Sequence, residues 1–324
     1  MTDTAQRAAA LNDLGRHADA ERVAGEGLAE TPEDSGLLCE LAAALYYQNR
    51  EDEALRAADA AAALAPDQER GHRLRSLALS WLDRHPEAVA AAERAVELDP
   101  TGRYPALAHA QALMRAGELM VAAREGDRVI GLAPEWAQAH YLCGEIADRR
   151  LQRRAARAAY TETLRLDPEF GRARSALARL DLIEGRTDKA LAGAVNAGQL
   201  NPRGSEAKSL VVDALWQLGN RIRVGLLVAA VVGLVSPLGT VVPLLGTALW
   251  AWWALRGIPR TAWPVAAAVA RTNRSLMVNH VLLAGCLVAL LIGAVTRLTG
   301  VTVVTLLVLV VLNGIMFVRD AGRR

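Results

Sequence analysis

Leu64-Ala65-Pro66, Leu98-Asp99-Pro100, Leu132-Ala133-Pro134, Leu166-Asp167-Pro168 and Leu200-Asn201-Pro202 repeat one phrase. With Pro32 they set six prolines 34 residues apart, without insertion or deletion, in a chain of 324 residues that holds 12 prolines. A fixed period of about 20 to 50 residues marks a solenoid, in which each unit buries its apolar face only against its neighbours.

Each 34-residue unit can be numbered from its own start. Position 20 is then always alanine: Ala20, Ala54, Ala88, Ala122, Ala156 and Ala190. Position 8 is always small (Ala8, Ala42, Ser76, Ala110, Gly144, Ala178), and position 27 nearly so (Gly27, Ala61, Ala95, Val129, Thr163, Ala197). Two helices folded back on each other approach closely only where side chains are small, so these are the expected crossing points. Leu11, Leu45, Leu79 and Leu113 at position 11 fill the space between. Gly15, Asn49, Asp83, Gly117 and Gly185 supply the turn between the two helices, and each ladder proline stops the second helix.

This pattern, small at 8 and 27, Ala at 20 and Pro at 32, resembles the tetratricopeptide (TPR) family over residues 1 to about 204. The family's aromatic at position 4 is absent, and its aromatic at position 11 is leucine here. Asp181 takes position 11 in the sixth unit, and Leu151 stands where the fifth expects a turn residue. The fold class expected is all-α, a solenoid of helical hairpins followed by a multi-span transmembrane anchor. Residues 205–220 continue the phase as a capping helix, with Leu210, Val211, Ala214, Leu215 and Leu218 on one face. Gly219-Asn220 falls at the place of the next turn.

Beyond it the composition changes. The first 220 residues carry 34 acidic against 27 basic side chains, a net of −7; the last 104 carry 10 arginines against Asp320, a net of +9. Val224 to Leu255 is 32 residues without a charge, about 48 Å as a helix against about 30 Å of hydrocarbon. Residues 221–255 are therefore expected to form a transmembrane hairpin or re-entrant segment that breaks at Ser236-Pro237-Leu238-Gly239. Residues 276–318 form a second hairpin turning at Thr296 to Gly300, and 319–324 a basic tail.

The basic clusters are Arg221 and Arg223, then Arg256, Arg260, Arg271 and Arg274 in the linker 256–275, then Arg319, Arg323 and Arg324; only Arg297 lies in a presumed turn. Basic loops stay cytoplasmic, which predicts four short spans with both termini inside. Trp250, Trp252, Trp253 and Trp263 bracket the cytoplasmic end of the first run, and the helix expected at Ala262 to Arg271 suits the interface. Gly225, Ala229 and Gly233, and Gly285, Ala289 and Gly293, are small-residue stripes on which spans can pack together or against a second copy. Asn313 offers the last span an interhelical hydrogen bond.

No catalytic, nucleotide or metal motif is present, so no enzyme activity, cofactor or metal is expected. Cys39, Cys143 and Cys286 form no CxxC pair and read as reduced thiols; Cys143 with His140 reads as core rather than ligand. His280 with Asn279 reads as a polar pair at a helix end, not a proton relay. Met1 to Gly15 is polar and in repeat phase, which predicts no cleaved signal peptide. A soluble half at −7 repels nucleic acid.

In the family, positions 2, 5, 9, 12 and 13 face the concave groove. The resemblance puts Tyr46, Tyr47, Arg70, Arg73, Leu77, Trp81, Tyr104, Leu107, Gln111, Met114 and Arg115 there. The fifth unit adds Gln138, Tyr141, Glu145, Asp148 and Arg149. Tyrosine, tryptophan and arginine are the types that anchor interfaces. The family's two-carboxylate clamp of lysines and asparagines is missing, which leaves Arg70 and Arg73 to hold a carboxylate. The function expected is a scaffold at a bacterial cytoplasmic membrane, holding a peptide or protein partner for assembly or recruitment of a membrane or secretion complex. The alternative is a regulatory or structural subunit of a channel or transporter. Two lysines amid abundant alanine, glycine and arginine suggest a GC-rich bacterial genome.

Overall fold

The computed structural model describes residues 3–200, 205–235, 244–246, 248–249, 262–296, 304–305 and 308–309. Its helices are α1 (Asp3–Asp13), α2 (His17–Glu30), α3 (Ser35–Tyr47), α4 (Glu51–Leu64), α5 (Glu69–Trp81), α6 (His85–Leu98), α7 (Arg103–Arg115), α8 (Leu119–Leu132), α9 (Ala137–Arg149) and α10 (Arg153–Leu166). They continue with α11 (Gly171–Ile183), α12 (Thr187–Leu200), α13 (Ser205–Val235), α14 (Ala262–Thr272) and α15 (Arg274–Thr296). The chain divides into two compact units, Met1–Pro168 and Glu169–Arg324, and the division falls on a ladder proline.

In the first unit, α3, α5, α7 and α9 each fill positions 1 to 13 of their repeat, and α2, α4, α6, α8 and α10 each fill 17 to 30. Position 15 is left-handed throughout: Gly15, Asn49, Asp83, Gly117 and Leu151 have φ of 71°, 57°, 56°, 83° and 59°. Leu151 takes this conformation although an L side chain resists it, because Gln152 N–H must still reach the Ala147 carbonyl, at 2.9 Å, to start the second helix. Asp34 caps α3 by accepting from the Gly36 and Leu37 amides at 2.8 and 3.0 Å. The second helices lack a side-chain cap at position 16. Arginine there reaches instead to a first-turn acid, as in Arg16–Asp19, Arg50–Glu53 and Arg84–Glu87.

The expected crossing points are buried. Ala8, Ala42, Ala110, Ala20, Ala54, Ala88, Ala122 and Ala156 expose 1% or less. A methyl group on Gly144 would stand 2.5 Å from the Tyr160 ring, and one on Gly27 would stand 2.8 Å from Leu37. Leu45, Leu79 and Leu113 at position 11 join the core.

In the second unit α11 and α12 form the sixth hairpin. Asp181, the charge at an apolar position, is answered by Arg186 Nε at 2.9 Å. Leu210, Val211, Ala214 and Leu215 of α13 pack with Ala178, Leu191, Ala194 and Val195. Gln217 donates to the Leu182 carbonyl and accepts from Thr187, both at 3.0 Å, sealing the hairpin's open end.

The turn expected at Gly219-Asn220 does not form. α13 runs through it as one 31-residue helix, about 46 Å long. A glycine inside a helix costs only about 1 kcal/mol, and buried Leu218 and Leu226 on either side outweigh it. Of the four spans expected, the described residues contain one helix long and apolar enough to cross a bilayer, Ala207–Val232. It begins inside the cap, because α13 is continuous. The break at 236–239, the turn at 297–300, Asn313 and the tail 319–324 lie outside the described residues, as do Trp250, Trp252, Trp253, Arg256 and Arg260.

A helix does occupy the linker, as α14, and its Val269 packs on the cap cluster. α15 meets α13 through Leu283, Cys286 and Leu290 against Leu226, Ala229 and Ala230. Gly285 of the α15 stripe is exposed, with nothing within 4 Å of an added methyl. Larger side chains three and four residues apart form the seam, while Ala229 supplies the close approach on α13. Gly225 and Ala289 are half-buried; Gly233 and Gly293 lie on α13 and α15. Arg223 is buried and donates to Asn279 Oδ1 at 3.1 Å, so a residue expected as a basic flank is a link between helices.

Candidate functional site

The inner helices α1, α3, α5 and α7 line a cavity of about 640 Å³. Its wall brings together Tyr46, Tyr47, Arg70, Arg73, Leu77 and Tyr104, and adds Asn12, Asp13, His17 and Glu40.

Two arginines of this wall are already paired. Glu40 is fully buried, with Oε1 2.6 Å from Arg70 Nη2. Asn12 Nδ2 donates to Glu40 Oε2 at 3.1 Å and to its carbonyl at 3.0 Å. Removing a carboxylate from water is costly unless it is paired and hydrogen-bonded, and this set meets both conditions. Arg73 Nε lies 3.0 Å from Glu69 Oε2. The His17 ring stacks on Tyr47 at 4.6 Å between centroids. Burial holds its pKa below the ordinary 6.5.

A connected line of rings runs along the face. Trp81 Nε1 donates to the Tyr46 hydroxyl at 2.9 Å, and Tyr46 meets Tyr47 edge-on at 5.3 Å. The Arg115 guanidinium lies 4.1 Å from the Trp81 ring centre. Tyr104 receives Arg73 at 5.5 Å and Arg103 at 5.0 Å, and packs edge-on against Trp136 at 5.2 Å. Arg103 also lies 4.9 Å from Trp136. Such contacts fix aromatic and guanidinium planes while leaving much of both in water.

The thiols are shielded: burial pushes Cys39 up to about 11 and Cys143 up to about 12, where thiolate chemistry is suppressed at neutral pH. His140 turns to the Pro134 carbonyl at 2.8 Å. Among the described residues no group of three His, Cys, Asp or Glu side chains is placed to hold a metal.

Neither a protein-family model nor a curated protein matches the sequence. Solved structures do match. A thermophilic TPR protein of Thermus thermophilus gives a TM-score of 0.53 at 22% identity over 56% of this chain and 99% of that one. The Cut9–Hcn1 hetero-tetramer of the APC/C gives 0.57 at 14%, over 65% of this chain and 42% of that one. PilW, a widely conserved type IV pilus biogenesis factor, gives 0.53 at 15%, over 64% and 96%.

The fold is that of a tetratricopeptide-repeat protein.

On the TPR scaffold the groove residues divide. Tyr47, Trp81 and Tyr104 are about half exposed, whereas Met114 at 4% and Tyr141 at 8% are core. Met114 packs with Leu113, Leu142 and Ile146, and Tyr141 tilts against Tyr160 at 5.7 Å, its hydroxyl donating to Glu145 at 3.2 Å. Leu107, Gln111, Gln138 and Asp148 are half-buried. Arg149 donates to the Met114 carbonyl at 3.5 Å.

Asn12 and Asp13 occupy positions 12 and 13 of the first repeat, so extending the position rule to that repeat would have found them. Glu40 occupies core-facing position 6; no rule of spacing anticipates a paired carboxylate there.

Proposed function

We propose that this TPR protein is a membrane-anchored scaffold that captures a polypeptide partner in the groove of its inner helices. The supporting observation is the line Tyr47–Tyr46–Trp81–Arg115, in which every member is held by its neighbour and still meets solvent. Anchors fixed before binding lose little rotamer entropy when a partner arrives.

The anchor is the apolar half of α13 with α15. Val224, Val228 and Val231, and Val278, Val281 and Val288, are exposed on outer faces, and lipid is the environment that suits contiguous apolar surface. Four spans with both termini in the cytoplasm of a bacterial inner membrane complete this reading. A captured partner is then kept at raised concentration beside other membrane components, which suits assembly of a membrane or secretion complex. The Arg223–Asn279 link between two apolar helices favours a second reading, in which the membrane part works as a subunit of a channel or transporter.

The test is a photo-crosslinking residue placed at Gln111, within the groove, or at exposed Ala90 on α6, in the full chain in cells. Discrete polypeptide adducts at 111 and none at 90 are expected. Equal labelling at both, or none at 111, overturns the groove.

A further inference from the structure

The turn inside the fifth repeat departs from the others in charge. The position-16 arginines of the first three repeats and the sixth are each paired with an acid: Arg16 with Asp19, Arg50 with Glu21 and Glu53, Arg84 with Glu87, and Arg186 with Asp181. The fourth repeat has Glu118 at that position and the fifth Gln152. Around Gln152 the chain reads Arg149-Arg150-Leu151-Gln152-Arg153-Arg154, and from Arg149 to Thr161 there are five arginines and no acid. Arg153 and Arg154 are exposed and have no carboxylate within ion-pair distance among the described residues. Arg149 and Arg150 are oriented by uncharged partners, the Met114 carbonyl at 3.5 Å and the Met120 sulfur at 3.1 Å, which leave their charge in place. Four positive charges thus gather beside the N-terminal end of α10, where the helix dipole is itself positive and where α4 and α6 carry acids instead.

Two apolar side chains lie among these charges. Leu151 is 81% exposed, and Met120, whose sulfur meets Arg150, is 66% exposed. Leu151 holds a φ of 59° at a place where the other repeats have Gly15, Asn49, Asp83, Gly117 and Gly185. Leucine there strains the backbone and packs little, so folding does not account for it. An exposed turn that joins apolar side chains to unpaired arginines is matched by a bilayer surface with anionic headgroups, which offers phosphates to the arginines and acyl chains to leucine and methionine. Nucleic acid offers phosphates but no apolar layer. The chain also carries a helix long and apolar enough to cross a bilayer, Ala207–Val232, so on the anchor reading a lipid surface is within reach.

We infer that the turn of the fifth repeat is a second contact with the membrane, in which Arg149, Arg150, Arg153 and Arg154 bind anionic phospholipid headgroups while Leu151 and Met120 enter the interface. This rests on the membrane anchor proposed above.

The test places an environment-sensitive fluorescent amino acid at exposed Gln152, or at exposed Ala90 on α6 as control, in the full chain reconstituted into nanodiscs. The nanodiscs are of phosphatidylcholine alone or of phosphatidylcholine mixed with phosphatidylglycerol. Phosphatidylglycerol is expected to shift the emission at 152 to the blue and leave that at 90 unchanged, and salt is expected to reverse the shift. The ratio of docked to free turn is expected to fall about fivefold with Arg153→Gln, about fivefold further with Arg154→Gln added, and about tenfold with Leu151→Asn. Asparagine suits a left-handed turn, as at Asn49, so the urea midpoint of Leu151→Asn is expected not to fall, which separates lost docking from unfolding. The same emission at 152 in both nanodiscs, an equal shift at 90, or indifference to the arginine and leucine variants overturns the inference. An equal shift when poly-glutamate is added to phosphatidylcholine nanodiscs also overturns it, in favour of an acidic polypeptide. If the chain enters the nanodiscs in any of these events, the anchor stands and only the contact of the turn fails; if it does not enter them, both readings fall.

Discussion

Glu40, fully buried on α3, sets its carboxylate 2.6 Å from the guanidinium of Arg70 on α5. The pair joins two neighbouring repeats, and it withdraws from ligand binding an arginine that the family's position rule assigns to the groove. Removing one partner strands the other's charge. Arg70→Met is expected to cost about 3 kcal/mol in urea unfolding, less if solvent reaches Glu40 past the emptied site. Glu40→Leu combined with Arg70→Met is expected to recover most of that loss, because an apolar pair leaves no orphaned charge. Equal losses in the single and double variants would show that packing, not charge, is at stake.

An added methyl on Gly144 would meet Tyr160 more closely than one on Gly27 would meet Leu37. Because the ring is fully buried and a methyl would meet it at 2.5 Å, Gly144→Ala is expected to destabilise the first unit by about 1–3 kcal/mol. Adding Tyr160→Leu should relieve part of the clash. Urea midpoints of the two variants check this.

Leu151 stands in the left-handed region with its side chain 81% exposed. Leu151→Gly therefore removes strain and little packing. A gain of about 1 kcal/mol is expected, and a loss in thermal or urea unfolding would show that the side chain has a contact of its own.

Glu21 of the first repeat is held by Gln48 at 2.9 Å and Arg50 at 2.7 Å from the second. The Gln48 hydrogen bond, then that of Arg50, holds its carboxyl below the ordinary 4.5. A depressed acid contributes stability that is present in full above its unfolded value and is lost as pH falls through the folded one. Wild type is therefore expected to lose stability below about pH 4.5 more steeply than Glu21→Gln. Parallel pH profiles of urea midpoints would contradict this.

The proline ladder made the solenoid legible because one unit's solution is imposed on every unit. Helix limits, crossing points and the turn at position 15 all follow from a rule stated once. Groove chemistry was legible only in part. The position rule finds Trp81, Tyr104 and Arg115, but exposure of Met114 and Tyr141 depends on packing against Leu142 and Tyr160. Pairing of Arg70 depends on Glu40, 30 residues away in sequence. The continuity of α13 was hidden because Gly219-Asn220 imitates a turn; burial on both sides of it, which composition does not reveal, decides for helix.

The central claim is that the repeats hold the partner and the apolar segment only holds the repeats to the membrane. The direct measurement exchanges residues 221–324 for an unrelated membrane anchor in the chain carrying the crosslinker at 111. It then compares, by mass, the adducts formed by the two membrane-bound proteins. The same adduct from both is the expected result; its disappearance from the exchanged protein, with the groove still folded, would contradict the scaffold and assign the work to the membrane helices.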